Sequence, residues 1–346
     1  MSAPRIRVAQ CGLGQWGPNL LRNLAQNPGA EVAALCDPDA TRLDIFARQH
    51  PAARVYTDVA QVAADPAIHA AVLATPAGLH GEHALMLLRA GKDVLVEKPL
   101  AMTLRAARSL VEEARRLGRV LMVGHTFLFN ESVKRTKHEI ESGTLGKLQL
   151  ILAQRLSLGR IRQDCNALWN LAPHDVSILL HWLGAMPVSV SARGIAFREG
   201  HTQEDFALCV LEFPNRVIAS IQVSWLNPVK IRQMTIVGTE RMLVYDDVDD
   251  ANPLTLFHQR IEEVSVPAAE GTLERYRLAV RPGESQSLPV PGKEPLSEEI
   301  AHFLDCIRTR AMPIGSGVDA LRVMSVLEAC DWSIKHGGAP RIPDEP

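Results

Sequence analysis

Gly12, Gly14 and Gly17 stand in the order Gly-x-Gly-x-x-Gly within Gly12-Leu13-Gly14-Gln15-Trp16-Gly17, directly after the apolar run Arg5 to Gln10. The first glycine permits a tight strand-to-helix turn, and the second lets a bulky anion approach the backbone. The third allows the helix to pack closely on the strand. The N–H groups left open at the helix start, at the positive end of its dipole, then face that anion. Asp37 follows Gly17 by 20 residues at the end of the next apolar run. That is the spacing of a carboxylate that accepts from the adenosine ribose of a dinucleotide. As a turn residue before Pro38, Asp37 would instead cap a helix. Strand, glycines, helix and acid in this order point to a dinucleotide site, with Gln15 and Trp16 on its turn. A carboxylate beside the ribose repels a 2′-phosphate, which favours NAD over NADP, while Arg42 is the cation that would pair with such a phosphate.

Further along, Thr75-Pro76 ends another short apolar run, and His80 opens the helix after it. In a doubly wound sheet this carboxyl edge of the strands is where ligands sit. Taken alone, His80 is a helix-start residue. Glu97-Lys98-Pro99-Leu100 follows the run Asp93 to Val96, and by itself a lysine after a strand is a solvated charge. Six cysteines (Cys11, Cys36, Cys165, Cys209, Cys306, Cys330) lack the paired spacing of a metal site or a disulfide framework. They read as reduced, mostly buried thiols, and no metal is expected.

The elements that position these residues fall into two textures. Up to residue 124, short apolar runs alternate with amphipathic helical stretches, the rhythm of parallel βαβ units. Strands are expected at Arg5 to Gln10, Glu31 to Cys36, Ala70 to Ala74, Asp93 to Val96 and Val120 to Val123. Helices are expected at Pro18 to Gln26, Ala40 to Gln49, Val59 to Ala64, Gly81 to Ala90 and Leu104 to Leu117. From Lys147 onward, strand-like runs follow one another: Leu148 to Leu158, Val188 to Phe197, Phe206 to Phe213, Val217 to Trp225 and Arg232 to Val237. One helix, His174 to Leu183, interrupts them, and two more close the chain at Ser297 to Thr309 and Asp319 to Lys335. Ala268 to Pro295, rich in Pro, Gly and Glu, reads as loop. The expected fold class is α/β: a Rossmann doubly wound parallel sheet over residues 1–124, and over 125–346 an α+β domain with a large, mostly antiparallel open sheet.

The GLGQWG turn, the Asp at the second strand, the ATPAGLH segment, the EKPL motif and the order of elements after them resemble the Gfo/Idh/MocA oxidoreductases along nearly the whole chain. This group includes glucose–fructose oxidoreductase and inositol dehydrogenase. The resemblance implies an NAD-binding domain contacted by Gly12, Gly14, Gln15, Trp16, Gly17, Asp37, Thr75, Pro76, His80, Glu97 and Lys98. It also implies a second domain that binds substrate and assembles subunits. Lys98 then sits at the active site, beside the nicotinamide and bonded to the hydroxyl being oxidised, and Pro99 holds its turn, often through a cis bond. His174, within Leu171-Ala172-Pro173-His174-Asp175, occupies the place of the general base, a role suited to an imidazole. Four residues earlier the family carries Asp, whereas this chain carries Asn170, which can orient a ring or bond a hydroxyl but cannot stabilise an imidazolium by charge. Asp175 or Asp164 is then a candidate for the missing carboxylate.

Gly124-His125-Thr126-Phe127-Leu128-Phe129-Asn130 and the Arg155 to Asp175 stretch are similar to the nucleotide-sugar branch, whose members oxidise the 3-hydroxyl of UDP-N-acetylglucosamine or its uronate. On that likeness His125, Asn130, Arg155, Arg160, Arg162 and Asp175 are candidate substrate contacts, the arginines suiting a diphosphate or carboxylate. As a solvated strand edge the arginines need no ligand.

The activity expected is hydride transfer between NAD and a ring hydroxyl or ketone of a sugar or polyol. Two alternatives keep the fold: an NAD-recycling lyase or glycosidase, and a cofactor-responsive binding protein without catalysis, which Asn170 favours and Lys98 and His174 oppose. A net charge of -2, from 37 basic and 39 acidic residues, argues against nucleic acid as a partner. No run approaches the roughly 18 apolar residues of a membrane span, and Met1 to Arg7 lacks the pattern of a signal peptide, so a cytoplasmic enzyme is expected. A homodimer or homotetramer is expected, its open sheet face covered by another subunit, with Ile221, Val223 and Trp225 on that face.

Overall fold

The computed structural model describes residues 4–159, 161, 165–200, 202–266, 275–290 and 292–345. In chain order the first elements are β1 (Ile6–Cys11), α1 (Gly17–Gln26), β2 (Ala30–Cys36), α2 (Ala40–Gln49), β3 (Arg54–Tyr56) and α3 (Val59–Ala64). Then come β4 (Ala70–Leu73), α4 (Ala77–Arg89), β5 (Asp93–Val96), α5 (Leu104–Leu117) and β6 (Leu121–Val123), with a 3-10 turn at Thr126–Phe129. The later part holds α6 (Glu131–Glu141), β7 (Leu148–Leu156), α7 (Ala167–Leu183), β8 (Ser189–Ile195), β9 (Phe206–Glu212), β10 (Ile218–Ser224) and β11 (Ile231–Gly238). It closes with β12 (Met242–Asp246), β13 (Leu254–Phe257), β14 (Arg260–Val266), β15 (Arg275–Arg281), β16 (Ser285–Ser287), α8 (Pro295–Thr309) and α9 (Gly317–Lys335).

The chain forms two units. The first comprises Met1–Asn130, Lys293–Ser325 and Glu345–Pro346, and the second Glu131–Gly292 and Val326–Asp344. The first unit is therefore discontinuous, unlike a division of the chain at residue 124, because α8 comes back to it. The returning segment is tied by polar contacts: the Arg310 guanidinium lies 2.8 Å from Asp93 Oδ1, Arg308 Nη2 donates to the Gly29 carbonyl at 3.0 Å, and Thr126 Oγ1 donates to Glu299 at 2.8 Å.

In the first unit the sheet order is β3-β2-β1-β4-β5-β6, all neighbours parallel. Every residue of β4 and β5 is buried, as expected of central strands covered on both faces. Helix α5 is capped at its start by Thr103, whose hydroxyl accepts from Ala106 N, and ends on Gly118 in the left-handed region. Its buried residues Leu104, Ala107, Leu110 and Ala114 recur at helical spacing, so one face enters the core.

In the second unit the sheet runs β16-β13-β12-β11-β7-β10-β9-β8, with β7 and β10 parallel and the other pairs antiparallel. A two-stranded pair, β14 and β15, stands apart. Helix α7 packs on β10, β9 and β7. Ile221, Val223 and Trp225 are at most 1% exposed, so they belong to the covered face and not to the open one. The open face is built by alternate residues, Leu152, Leu208, Val210 and Ile218, all partly exposed. The period of two along a strand decides which set faces the helix.

Several elements differ from the sequence expectation. β12, β13 and α6 were not expected, and β15 and β16 lie in the stretch expected to be loop, where glycine and proline mark turns between short strands. Helix α7 starts at Ala167 instead of His174, with Pro173 inside it. Proline normally marks a boundary, but Leu168, Ala172 and Val176 are buried along one face and hold the helix through it.

Candidate active site

The glycine turn has the geometry of a phosphate cradle. Gly12 has φ +88, and a Cβ there would lie 2.5 Å from the Ala74 carbonyl oxygen. A Cβ on Gly17 would collide with the Gly12 carbonyl, so this glycine lets α1 approach the strand. Gly14 is different: a Cβ there meets only Arg42 Nη1, at 3.9 Å. Its backbone faces open space, which is where a pyrophosphate would approach the N–H groups at the start of α1. Beneath the turn, buried Gln10 donates from Nε2 to the Gly12 carbonyl at 3.0 Å. Gln10 was missed from sequence, since a glutamine inside an apolar strand run carries no motif. Gln15 and Trp16 are exposed on the turn.

Asp37 is 3% exposed, and its Oδ2 accepts from Leu13 N at 2.7 Å while Oδ1 accepts from Asp39 N at 2.9 Å. The carboxylate thus braces the glycine turn, and it retains acceptor capacity for a hydroxyl. Arg42 Nη1 lies 3.7 Å from Asp37 Oδ1, and Arg42 Nε lies 3.3 Å from Asp39 Oδ2. These residues fit a dinucleotide with a free 2′-hydroxyl. When bound, NAD supplies the hydride acceptor.

At the carboxyl edge of β4 and β5, the His80 ring is 2% exposed, with Nδ1 2.7 Å from the Pro99 carbonyl and Nε2 2.8 Å from the Thr75 carbonyl. It ties the Thr75-Pro76 loop to the turn carrying Lys98. Burial pushes its pKa below the ordinary value. The Lys98–Pro99 peptide is cis. Lys98 is half-buried, and its backbone N donates to Glu97 Oε2 at 3.3 Å. Burial raises the Glu97 carboxyl to about 7, against the opposing pull of the Lys98 charge and of a hydrogen bond from the Trp16 side chain. Glu97 packs against Gly124, where a Cβ would lie 3.1 Å from its Oε1.

His125 is 2% exposed, and neither ring nitrogen has a hydrogen-bond partner among the described residues. Burial lowers its pKa to about 4, the charge of Asp319 opposing and that of Lys98 adding. It is thus a neutral imidazole in the first unit, near Lys98. Asn130, half-buried, ends the 3-10 turn, and its N–H donates to the Phe127 carbonyl at 3.1 Å.

In the second unit, Asn170 and His174 lie four residues apart on α7, one turn of the same helix, and both are half-buried. Asn166 caps that helix, its side chain accepting from Trp169 N at 3.0 Å. Asp175 does not stand in for the missing carboxylate. It is 1% exposed and bonded to Arg155, with Nη2 2.8 Å from Oδ1 and Nε 3.0 Å from Oδ2. Arg155 is itself 5% exposed. The two residues expected to bind substrate therefore face each other in the interior, because a buried guanidinium needs a counter-charge. Arg160, Arg162 and Asp164 lie outside the described residues.

A parallel sheet in the order 3-2-1-4-5-6, with an open glycine cradle and a carboxylate at the end of its second strand, defines a dinucleotide-binding Rossmann protein. Comparison with known proteins gives the family. Residues 6–125 match the oxidoreductase family with NAD-binding Rossmann fold of the Gfo/Idh/MocA group, and residues 104–244 match the Gfo/Idh/MocA C-terminal domain. A putative oxidoreductase from Magnetospirillum magnetotacticum MS-1 is 30% identical, with a TM-score of 0.79 over 95% of this chain and 100% of that one. The scyllo-inositol 2-dehydrogenase (NAD(+)) of Bacillus subtilis strain 168 is 27% identical over 96% of this chain and 95% of its own length. The UDP-N-acetylglucosamine 3-dehydrogenase GnnA of Acidithiobacillus ferrooxidans shares the fold at 22% identity, with a TM-score of 0.81 over 96% of this chain and 99% of that one. The chain belongs to the Gfo/Idh/MocA oxidoreductase family and is an NAD-dependent oxidoreductase. The lyase and binding-protein alternatives find no support in these relatives.

Proposed function

We propose that this enzyme oxidises a secondary ring hydroxyl of a sugar or cyclic polyol, reversibly, with Lys98 and His174 at the chemistry. The observation that carries the reading is the position of Lys98: half-buried on the turn after β5, at the sheet edge that also holds the glycine cradle. There its ammonium donates to the substrate oxygen and favours the negative charge that develops as hydride leaves. His174 Nδ1 or Nε2 takes the hydroxyl proton, and Asn170, one turn earlier, orients the ring or bonds a neighbouring hydroxyl. Gly12, Gly14, Gln15, Trp16, Gly17, Asp37, Thr75 and Pro76 hold the dinucleotide, with His80 and Glu97 fixing the turns beneath it.

The inositol relative and the nucleotide-sugar relative suggest two substrate families. With Arg155 neutralised by Asp175, a diphosphate clamp in this region would rest on Arg160 and Arg162, with His125 and Asn130 on the nicotinamide side. The partly exposed apolar face of the second-unit sheet supports assembly as a homodimer or homotetramer, and the six free thiols suit the reducing cytoplasm. No nucleic-acid or membrane partner is proposed.

The test is to purify the protein and follow NADH formation at neutral pH with inositols, free sugars, UDP-N-acetylglucosamine and its uronate. Sustained NADH production with one class supports the reading and names the substrate. NAD binding with no turnover on any of them overturns it.

A further inference from the structure

Helix α2 opens on Asp39, a residue that carried no expectation from the sequence. Its Oδ1 accepts from Thr41 N at 2.9 Å and from Arg42 N at 3.3 Å, so one oxygen caps the helix. The other, Oδ2, lies 3.3 Å from Arg42 Nε. The same guanidinium reaches Asp37, with Nη1 3.7 Å from Oδ1. Nη1 also lies 3.9 Å from the point where a Cβ on Gly14 would stand. Half-exposed Arg42 thus borders both the open glycine of the cradle and the carboxylate that follows β2.

The two acids differ in freedom. Asp37 is buried, and N–H groups of Leu13 and Asp39 fix it. Dinucleotide folds read the adenosine ribose with a carboxylate at the end of the second strand, and a 2′-phosphate entering there meets like charge. The Asp39 carboxylate is 42% exposed, and the oxygen nearer the guanidinium is engaged by Arg42.

We propose that Asp39 is a second determinant of cofactor choice: it holds the Arg42 guanidinium against the start of α2 and so denies a 2′-phosphate the cation it needs. Selectivity for NAD then has two parts. Asp37 repels the extra phosphate, and Asp39 occupies the group that would pair with it. Guanidinium groups bond phosphate bidentately, so an Arg42 released beside Gly14 favours NADP. Removing Asp37 alone does not release it, because the Asp39 contact remains. An exposed ion pair is weak, so its loss is expected to change NADPH binding by about three- to fivefold.

The experiment titrates NADH and NADPH by fluorescence into the full-length protein, with melting curves on every variant. Asparagine caps a helix as well as aspartate does, so Asp39→Asn keeps α2 intact. Expected in the Asp37→Ser background is that Asp39→Asn tightens NADPH about three- to fivefold and leaves NADH within about twofold. Adding Arg42→Gln should abolish that gain. No gain in NADPH binding overturns the proposal. So does a gain that survives Arg42→Gln, which would mean that losing a negative charge suffices without Arg42. Asp37→Ser also removes the brace on Leu13 N; should it not fold, Asp39→Asn with and without Arg42→Gln decides in the wild-type background. There the ratio of NADPH to NADH affinity must rise only while Arg42 is present, and an unchanged ratio overturns the proposal. A wild type that binds neither coenzyme overturns the cofactor site itself, whereas a substrate reading that fails in turnover leaves these titrations untouched.

Discussion

Arg155 of β7 and Asp175 of α7 meet as a buried two-pronged ion pair, with Arg155 at 5% and Asp175 at 1% exposure. Neither charge is available to a ligand, and each depends on the other. Asp175→Asn therefore strands a buried guanidinium and should lower unfolding free energy by about 3–5 kcal/mol, read in thermal and denaturant melts. Equal stability in the variant would mean that the pair is open to water.

The glycine turn predicts a split between folding and binding. Gly14→Ala enters open space, so the protein should melt like the wild type yet bind NAD markedly more weakly, since the methyl stands where the pyrophosphate approaches. Gly12→Ala meets the Ala74 carbonyl in a left-handed backbone and should lose stability as well. Calorimetric NAD titration beside melting curves separates the two.

Lys98→Met should bind NADH with little change while turnover falls by about 10²–10³-fold, the usual cost of removing one donor to a developing oxyanion. A variant that keeps turnover but loses cofactor binding would move Lys98 from the chemistry to the cofactor.

Asn170→Asp restores a carboxylate one turn from His174. It should raise turnover and shift the acid limb of the pH profile upward, because a nearby negative charge favours the imidazolium. An unchanged profile would show that Asn170 does not act on His174.

Two buried groups of the first unit give pH dependences of opposite sign. His125 is lowered from 6.5 to about 4, so the unfolded chain binds its proton first, and stability is gained as pH rises from about 4 to 6.5. Glu97 is raised from 4.5 to about 7, so the folded state holds its proton longer, and stability is lost as pH rises across that window. His125→Phe should remove the acid-side loss, and Glu97→Gln should flatten the decline toward neutrality. Denaturant melts across pH 4 to 8 read both, and a Glu97→Gln variant with the wild-type slope would place that carboxyl in water.

Much of the first unit was legible because its signals are local. Helices α2, α3 and α5 and strand β5 fall where periodicity and caps place them, and the glycine turn stands with Asp37 at its distance. Illegibility began where partners are remote in sequence. Nothing near Arg155 announces Asp175, twenty residues on, and the Pro173 boundary signal concealed the first turns of α7. Glu299 did leave a trace: it interrupts the apolar stripe Leu296, Ile300, Phe303 and Ile307 of α8. A carboxylate on a buried helical face needs a partner or a proton, but only the fold shows that Thr126 is there.

The discontinuity of the first unit also bears on how the chain is made. Its returning segment begins at Lys293, roughly 160 residues after Asn130. At ribosomal speeds of about 5–20 residues per second, that delay is of the order of ten to thirty seconds. During that time the emerged nucleotide-binding half lacks α8, and with it the bonds to Thr126, Asp93 and Gly29. The N-terminal half of this enzyme is therefore the part that must wait, and completing the first unit is a late event of synthesis rather than an early one.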